Sequence, residues 1–159
     1  MGTAGAVDAG TFRRALAQLP TFVTVIATQT AQGPVGCTAN AVLSLSLSPS
    51  SMLVSLDSGS RTLGHILAAG AFAVNGLAWE QRALCRRFAA GDPARRFDGV
   101  DHRLRDGVPV LSDSVVSVGC LVEHTLPVHD HTLLVGRVVW VSSRSAPALV
   151  LRAGVEHRC

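Results

Sequence analysis

Not one lysine occurs in the 159 residues, and all 14 basic side chains are arginine. That absence excludes chemistry built on an ammonium group, a Schiff-base lysine and a P-loop among it. Tyrosine is also missing, and aromatic residues make up only 4% of the chain. The one dense basic cluster, Arg82 with Arg86, Arg87, Arg95 and Arg96, is interrupted by apolar residues at helical spacing. With few rings to stack bases and a net charge of only +3, the composition argues against nucleic-acid binding. Cys37, Cys85, Cys120 and Cys159 form no Cys-x-x-Cys pair. His65, His102, His124 and His157 share no metal-like spacing, so neither a metal site nor a redox dithiol is expected. No run approaches the roughly 18 apolar residues of a membrane span, and MGTAGAVDAG lacks the basic-then-apolar order of a leader. A cytoplasmic protein, away from membranes, is the expectation.

What remains is apolar: 48% hydrophobic residues against 16% charged. A chain of this length can bury about 68–70% of its unfolded surface without metal or disulfide staples. So little charge leaves a surface that another subunit can cover, which points to an oligomer. Residues 1–10 are small and Gly/Ala-rich and read as a flexible arm, and residues 11–159 as a single domain. Thr11 is placed to cap a short helix presenting Phe12, Leu16 and Leu19, which Pro20 ends. Phe22 to Thr28 is β-branched and pairs across the turn QTAQGP with a run from Val35. Met52 to Leu56 and Phe72 to Leu77 read as strands, Arg61 to Ala69 as a helix stopped by Gly70, and Trp79 to Ala89 as a second helix. Val115 to Leu126 and Thr132 to Ser142 are long strands with a turn around Pro127. Strands outnumber helices and hairpin-length links join them, so the expected fold is mainly β, one antiparallel barrel with peripheral helices.

The segment from Gly36 to Leu63, GCTANAVLSLSLSPSSMLVSLDSGSRTL, joins a strand of small and hydroxyl residues to a Ser-Arg-Thr turn that opens a helix. Thr38, Ala39, Asn40 and Ala41 are small enough for backbone groups to approach a flat ring. The hydroxyls of Ser60 and Thr62, the Arg61 guanidinium and the free N–H groups of the helix start can converge on one phosphate. The bland alternative is that Ser60 caps the helix and Arg61 is a solvated charge. Together with FAVN at Phe72, RRFA at Arg86, RRFDGV at Arg95, GVPVL at Gly107, HDH at His129 and GRV at Gly136, this segment resembles the short-chain flavin reductases. These are the reductase components of two-component flavin-dependent monooxygenases, and the likeness covers nearly everything from Phe12 to His157.

The resemblance implies an FMN-binding split barrel, Greek-key in topology and homodimeric, with flavin sites near the subunit interface. It places TANA along the ring and tail, the backbone of Ser55 and Leu56 facing the isoalloxazine, and Ser60, Arg61 and Thr62 on the flavin phosphate. Phe88 and Ala89 match a pair near the flavin tail, although a helical Phe can equally be plain core. Asn75 either reaches the site or satisfies a neighbouring backbone group, and the second reading is preferred. In similar reductases a Gly-Asp-His triplet leads into the strand that ends with a glycine, here Gly136. Here His129 replaces the glycine, while Asp130 and His131 align. His131 is the candidate catalytic residue, touching nicotinamide or reduced flavin, or else an ordinary strand-edge histidine. Phe22 stands where the family has glycine, and its ring either narrows the site or packs beneath it. GVEH, ending at His157, follows a family pattern whose role the residues do not reveal.

The implied activity is reduction of FAD or FMN by hydride from NADH or NADPH, with the reduced flavin diffusing to a partner monooxygenase. No G-x-G-x-x-G follows a strand, so a Rossmann crossover is not how the nicotinamide would bind. A non-catalytic flavin-binding module on the same barrel is the alternative, for which the substituted glycine at His129 is the best argument. A pyridoxamine-phosphate oxidase would want further cationic contacts, and no arginine motif supplies them. The choice between FAD and FMN, and between NADH and NADPH, stays open at this level.

Overall fold

The structure is a computed structural model and describes residues 5–159, so residues 1–4 of the expected arm lie outside the described residues. Helix α1 spans Ala9–Leu16 and is capped by Asp8, whose carboxylate accepts the Thr11 N–H at 3.0 Å. The cap therefore falls three residues before Thr11, because an aspartate caps at least as well as a threonine. Leu19 lies beyond the helix. In chain order follow β1 (Thr21–Phe22), β2 (Thr24–Thr30), β3 (Gly33–Ala39), β4 (Val42–Leu47), β5 (Ser50–Asp57), α2 (Arg61–Ala69) and β6 (Ala71–Gly76). A 3-10 turn at Trp79–Gln81 leads into α3 (Arg82–Ala90), and another covers Pro93–Arg95. The second half is β7 (His102–Arg105), β8 (Val108–Leu111), β9 (Val116–Val128), β10 (His131–Ser143), β11 (Leu149–Arg152) and β12 (Val155–Arg158).

Seven of these strands form one antiparallel sheet in the order β3-β2-β6-β9-β10-β5-β4. Its two outer strands, β3 and β4, are consecutive in the chain and are linked only by Asn40 and Ala41. In a flat sheet six strand spacings would separate them by about 29 Å, whereas so short a link reaches only about 10 Å. The sheet must curl until its edges meet, which makes a barrel with a seam at Asn40 and Ala41. Ser55 N–H bonds the Ala41 carbonyl at 2.9 Å, which carries the β4–β5 ladder up to that seam.

Ile26, Val54, Leu56, Phe72, Val74, Val118 and Leu134 fill the barrel, with Leu63 and Ile66 of α2 packed among them. The opposite face of β2 is buried as well: Val25 and Ala27, with Val23 just before the strand, meet Leu77, Phe88, Leu111 and Leu149. Burial on both faces is why this stretch reads as an unbroken apolar run rather than an alternating one. Outside the barrel, β1, β11 and β12 form a small sheet and β7 pairs with β8. Three cysteines are half-buried or buried and unpaired, while Cys159 is exposed; burial pushes the Cys120 thiol up to about 12.

The turn between β9 and β10 is not at Pro127. That residue lies inside β9 opposite Thr132, and the loop is His129 and Asp130. Pairing of β9 with β6 ends at Leu121. Pro127 thus has a sheet neighbour on one side only, where a missing N–H costs no ladder bond.

Gly136 and Phe72, both singled out in the sequence, explain each other. A Cβ at Gly136 would lie 2.6 Å from Phe72 Cζ, on a fully buried ring. Gly136→Ala is expected to lower stability by about 1–3 kcal/mol through overpacking, read as a lower denaturation midpoint with an unchanged slope.

Candidate functional site

One open cleft of about 720 Å³ is lined by all twelve residues proposed from the sequence. Thr38, Ala39, Asn40 and Ala41 bring the seam to it, and Ser55 and Leu56 bring the end of β5. Ser60, Arg61 and Thr62 come from the start of α2, Phe88 and Ala89 from α3, and His131 from the first position of β10. The convergence follows from barrel closure, since β5 borders both β4 and β10.

The phosphate-type corner is built by a short turn. Asp57 Oδ1 accepts the Gly59 N–H at 2.7 Å and the Asp57 carbonyl accepts the Ser60 N–H at 2.9 Å, which aims the chain into α2. Ser60 does cap this helix, its Oγ accepting the Leu63 N–H at 3.4 Å, and it also lines the cleft. No acidic residue occupies the first turn of α2. Free N–H groups, two hydroxyls and the exposed Arg61 therefore share one corner, and the Asp57 carboxylate that also borders the cleft is engaged by the Gly59 N–H. Burial pushes the Cys37 thiol up, opposed by a hydrogen bond to Thr62, the charge of Arg96 and a hydrogen bond to Ser60.

Arg96 is one of four cleft residues that the sequence does not single out, with Cys37, Asp57 and Pro93. Its Nη1 donates to the Gly36 carbonyl at 2.9 Å and its Nε to the Gly91 carbonyl at 3.1 Å, clamping a half-buried cation to the cleft wall. The available signal is RRFDGV, a motif of the resemblance whose second arginine also belongs to the basic cluster.

Some polar atoms serve the scaffold instead. Thr38 Oγ1 donates to the Cys85 carbonyl at 2.7 Å and ties β3 to α3. Phe88 is fully buried, 4.9 Å edge-to-face from Phe97, so it belongs to the core while one side floors the cleft. Asn75 is also fully buried and turned to backbone and Ser117 partners rather than the cleft. Phe22 does not narrow the cleft: its ring covers Gly76, where a Cβ would sit 2.4 Å from Phe22 Cε1. His157 lies on β12 opposite Val150, away from these residues.

The HDH turn is pinned to the turn that opens α2. Ser58 N–H donates to the Asp130 carbonyl at 2.9 Å, and the Ser58 and Thr132 hydroxyls are 2.9 Å apart. His131 pairs opposite Asp57, and its Nδ1 lies 2.8 Å from Asp130 Oδ1. The His131 ring beside it holds the Asp130 carboxyl below the usual carboxylate range. His129 has φ +54°, so this position does require the left-handed backbone that glycine adopts freely. His129→Gly is accordingly expected to raise stability by about 1 kcal/mol, measured by denaturant titration.

An antiparallel split barrel whose seam, phosphate-type helix start and apolar floor share one open cleft defines a binder of a flat, phosphate-bearing ring. The donor set fits a flavin mononucleotide moiety: cationic and hydroxyl groups at one end, small residues and exposed backbone at the other. The match to a family model, the flavin reductase like domain, runs over residues 16–156, and the chain belongs to that family of oxidoreductases. It is 41% identical over 153 residues to the NADH-dependent FMN reductase AsuE2 of Streptomyces nodosus subsp. asukaensis, covering 92% of this chain and 80% of that protein. With HsaB of Rhodococcus jostii, the reductase subunit of a flavin-dependent monooxygenase, identity is 37% over 136 residues, 85% of this chain and 69% of that one. The solved NADH:FAD oxidoreductase SgcE6 of Streptomyces globisporus C-1027 superposes with a TM-score of 0.90 at 28% identity, covering 99% of both chains. SgcE6 has also been solved in complex with NAD and FAD fragments.

Proposed function

We propose that this protein is an NAD(P)H:flavin oxidoreductase that reduces FAD or FMN and releases the reduced flavin to a partner monooxygenase. The observation that carries the reading is the single cleft in which the seam, the α2 start and His131 meet. When bound, the flavin supplies the hydride acceptor, N5, and the nicotinamide supplies the donor, C4. The chain's part is geometric. Small residues at the seam let backbone groups reach a ring edge, Leu56 and Phe88 give an apolar floor, and Ser60, Arg61 and Thr62 hold the phosphate. Arg96 adds a fixed positive charge to the same wall. Asn40, Ala41, Ala89 and His131 are exposed at the rim, which leaves the ring face open to a second nucleotide and to exchange.

Purified protein with NADH and FMN or FAD is expected to bleach the flavin absorbance far faster than free flavin does. Tight flavin binding with no NADH oxidation would instead establish the non-catalytic module. His131→Ala is expected to lower turnover about tenfold, the equivalent of about 1.4 kcal/mol of transition-state contact, while flavin affinity stays within about twofold. Equal losses in affinity and turnover would make His131 a binding residue only.

The partner copy in this reading covers an apolar surface at the seam. On edge strand β4 the side chains of Leu43, Leu45 and Leu47 are exposed, the last by 86%, and α1 exposes Phe12 and Leu16. A homodimer buries such a strand, which otherwise invites unspecific pairing, and sedimentation tests it. Residues 11–159 then act as one domain. No helix of the described residues is long and apolar enough to cross a membrane. The proposed setting is the cytoplasm, where free thiols stay reduced.

A further inference from the structure

Beyond the start of α2 lies a second hollow of about 330 Å³, which shares Arg61, Thr62 and Pro93 with the cleft. Its volume is at the lower end of small-molecule sites, about 300–1,000 Å³. Pro34 and Val35 of β3 form one wall, and Pro93 with Ala94 forms another. Thr30 at the end of β2 and Gln32 in the β2–β3 turn add hydrogen-bonding groups. His65 follows Arg61 by four residues on α2, so both stand on the same helical face and line the same hollow.

We infer that this hollow receives the adenosine half of FAD, with the pyrophosphate straddling Arg61, and that the protein therefore binds FAD more tightly than FMN. The inference rests on the flavin site proposed above. FMN ends at the phosphate held by the start of α2, whereas FAD continues from that atom group through one more phosphate to an adenosine. The space available for this continuation opens at the same residues that hold the first phosphate. Arg61 borders both spaces, and its five N–H donors allow one guanidinium to serve two phosphates. Pro34, Val35, Pro93 and Ala94 give apolar walls against which a purine can lie, while Thr30 and Gln32 at the hairpin and His65 on α2 supply polar groups. A nicotinamide dinucleotide also carries an adenylate, and adenosine phosphate is the chemistry common to both ligands. The shared phosphate corner assigns the hollow to the flavin's own adenylate.

The test is an equilibrium titration of FAD and of FMN into the purified protein without reduced nicotinamide, followed by flavin fluorescence and repeated with AMP present. FAD is expected to bind about tenfold or more tightly than FMN, and AMP to weaken FAD while leaving FMN nearly unchanged. Ala94→Glu places bulk and a negative charge at an exposed position of the hollow and is expected to bring the two affinities together. His65→Ala should narrow the gap less. FMN binding by each variant reports that it is folded. Equal affinities in the unmodified protein, or a gap that both variants leave intact, overturn the inference. So does an AMP effect that is absent from the titrations and appears only in a parallel steady-state assay as a raised Michaelis constant for NADH, which would give the hollow to the pyridine nucleotide. Failure of both flavins to bind would remove the flavin reading itself, an outcome distinct from equal binding.

Discussion

Arg61→Ala is expected to weaken flavin binding about 10- to 100-fold without altering the fold. A hydrogen bond to a charged group contributes about 1.5–3 kcal/mol, and each 1.4 kcal/mol is about a factor of ten in affinity. Arg61 is exposed, so solvent screening pulls the effect toward the lower figure. The helix start, Ser60, Thr62 and Arg96 remain, which is why binding weakens rather than disappears. Arg61→Lys should recover part of the loss, since an ammonium restores the charge but not the planar fork. Fluorescence titration of flavin gives the affinities, and circular dichroism with a denaturation midpoint checks the fold. An unchanged affinity for FMN and FAD in Arg61→Ala would place the phosphate elsewhere.

The largest expected effect on stability comes from a residue that touches no ligand. Asn75→Ala is expected to cost about 3–5 kcal/mol, because it strands several buried groups at once. Asn75 Nδ2 donates to the Val25 carbonyl at 3.4 Å and to the Pro109 carbonyl at 3.2 Å. Its Oδ1 accepts from the Leu111 N–H at 3.0 Å and from Ser117 Oγ at 3.1 Å. One side chain on β6 thus ties together β2, β8 and β9, and it is fully inaccessible to solvent. Removal takes this partner from two donors and two acceptors in a site closed to solvent. Urea denaturation followed by fluorescence reads the change. A loss below about 1 kcal/mol would mean that water replaces the amide, as in a polar and roomy site.

Asn75 and Arg96 show two ways in which local sequence falls short. In FAVN, alternation says only that Asn75 faces away from Val74; its partners come from residues up to 50 positions away. Arg96 sits in a run of arginines and apolar residues, and its identity gives no hint that it is clamped to Gly36, 60 positions earlier. The turn at His129 is a third case. The substituted glycine was legible, as was the question it raised, but the answer, φ +54°, depends on the register between β9 and β10.

The ends of α2 stand at the other extreme. The sequence reading placed this helix from Arg61 to Ala69, and the structure has the same bounds, with Ser60 at the cap and Gly70 at φ +70°. Caps, turn glycines and β-branched runs act over a few residues, so α2 with its Ser60 cap and the β2–β3 hairpin were determined by the sequence alone. The family motifs likewise identified all the residues that line the cleft except Cys37, Asp57, Pro93 and Arg96. Only the tertiary structure decided that these pieces meet. Closure of the seven-stranded sheet at Asn40 and Ala41 is a property of strand order and register. Those are set by contacts between residues far apart in the chain, to which local propensity is blind.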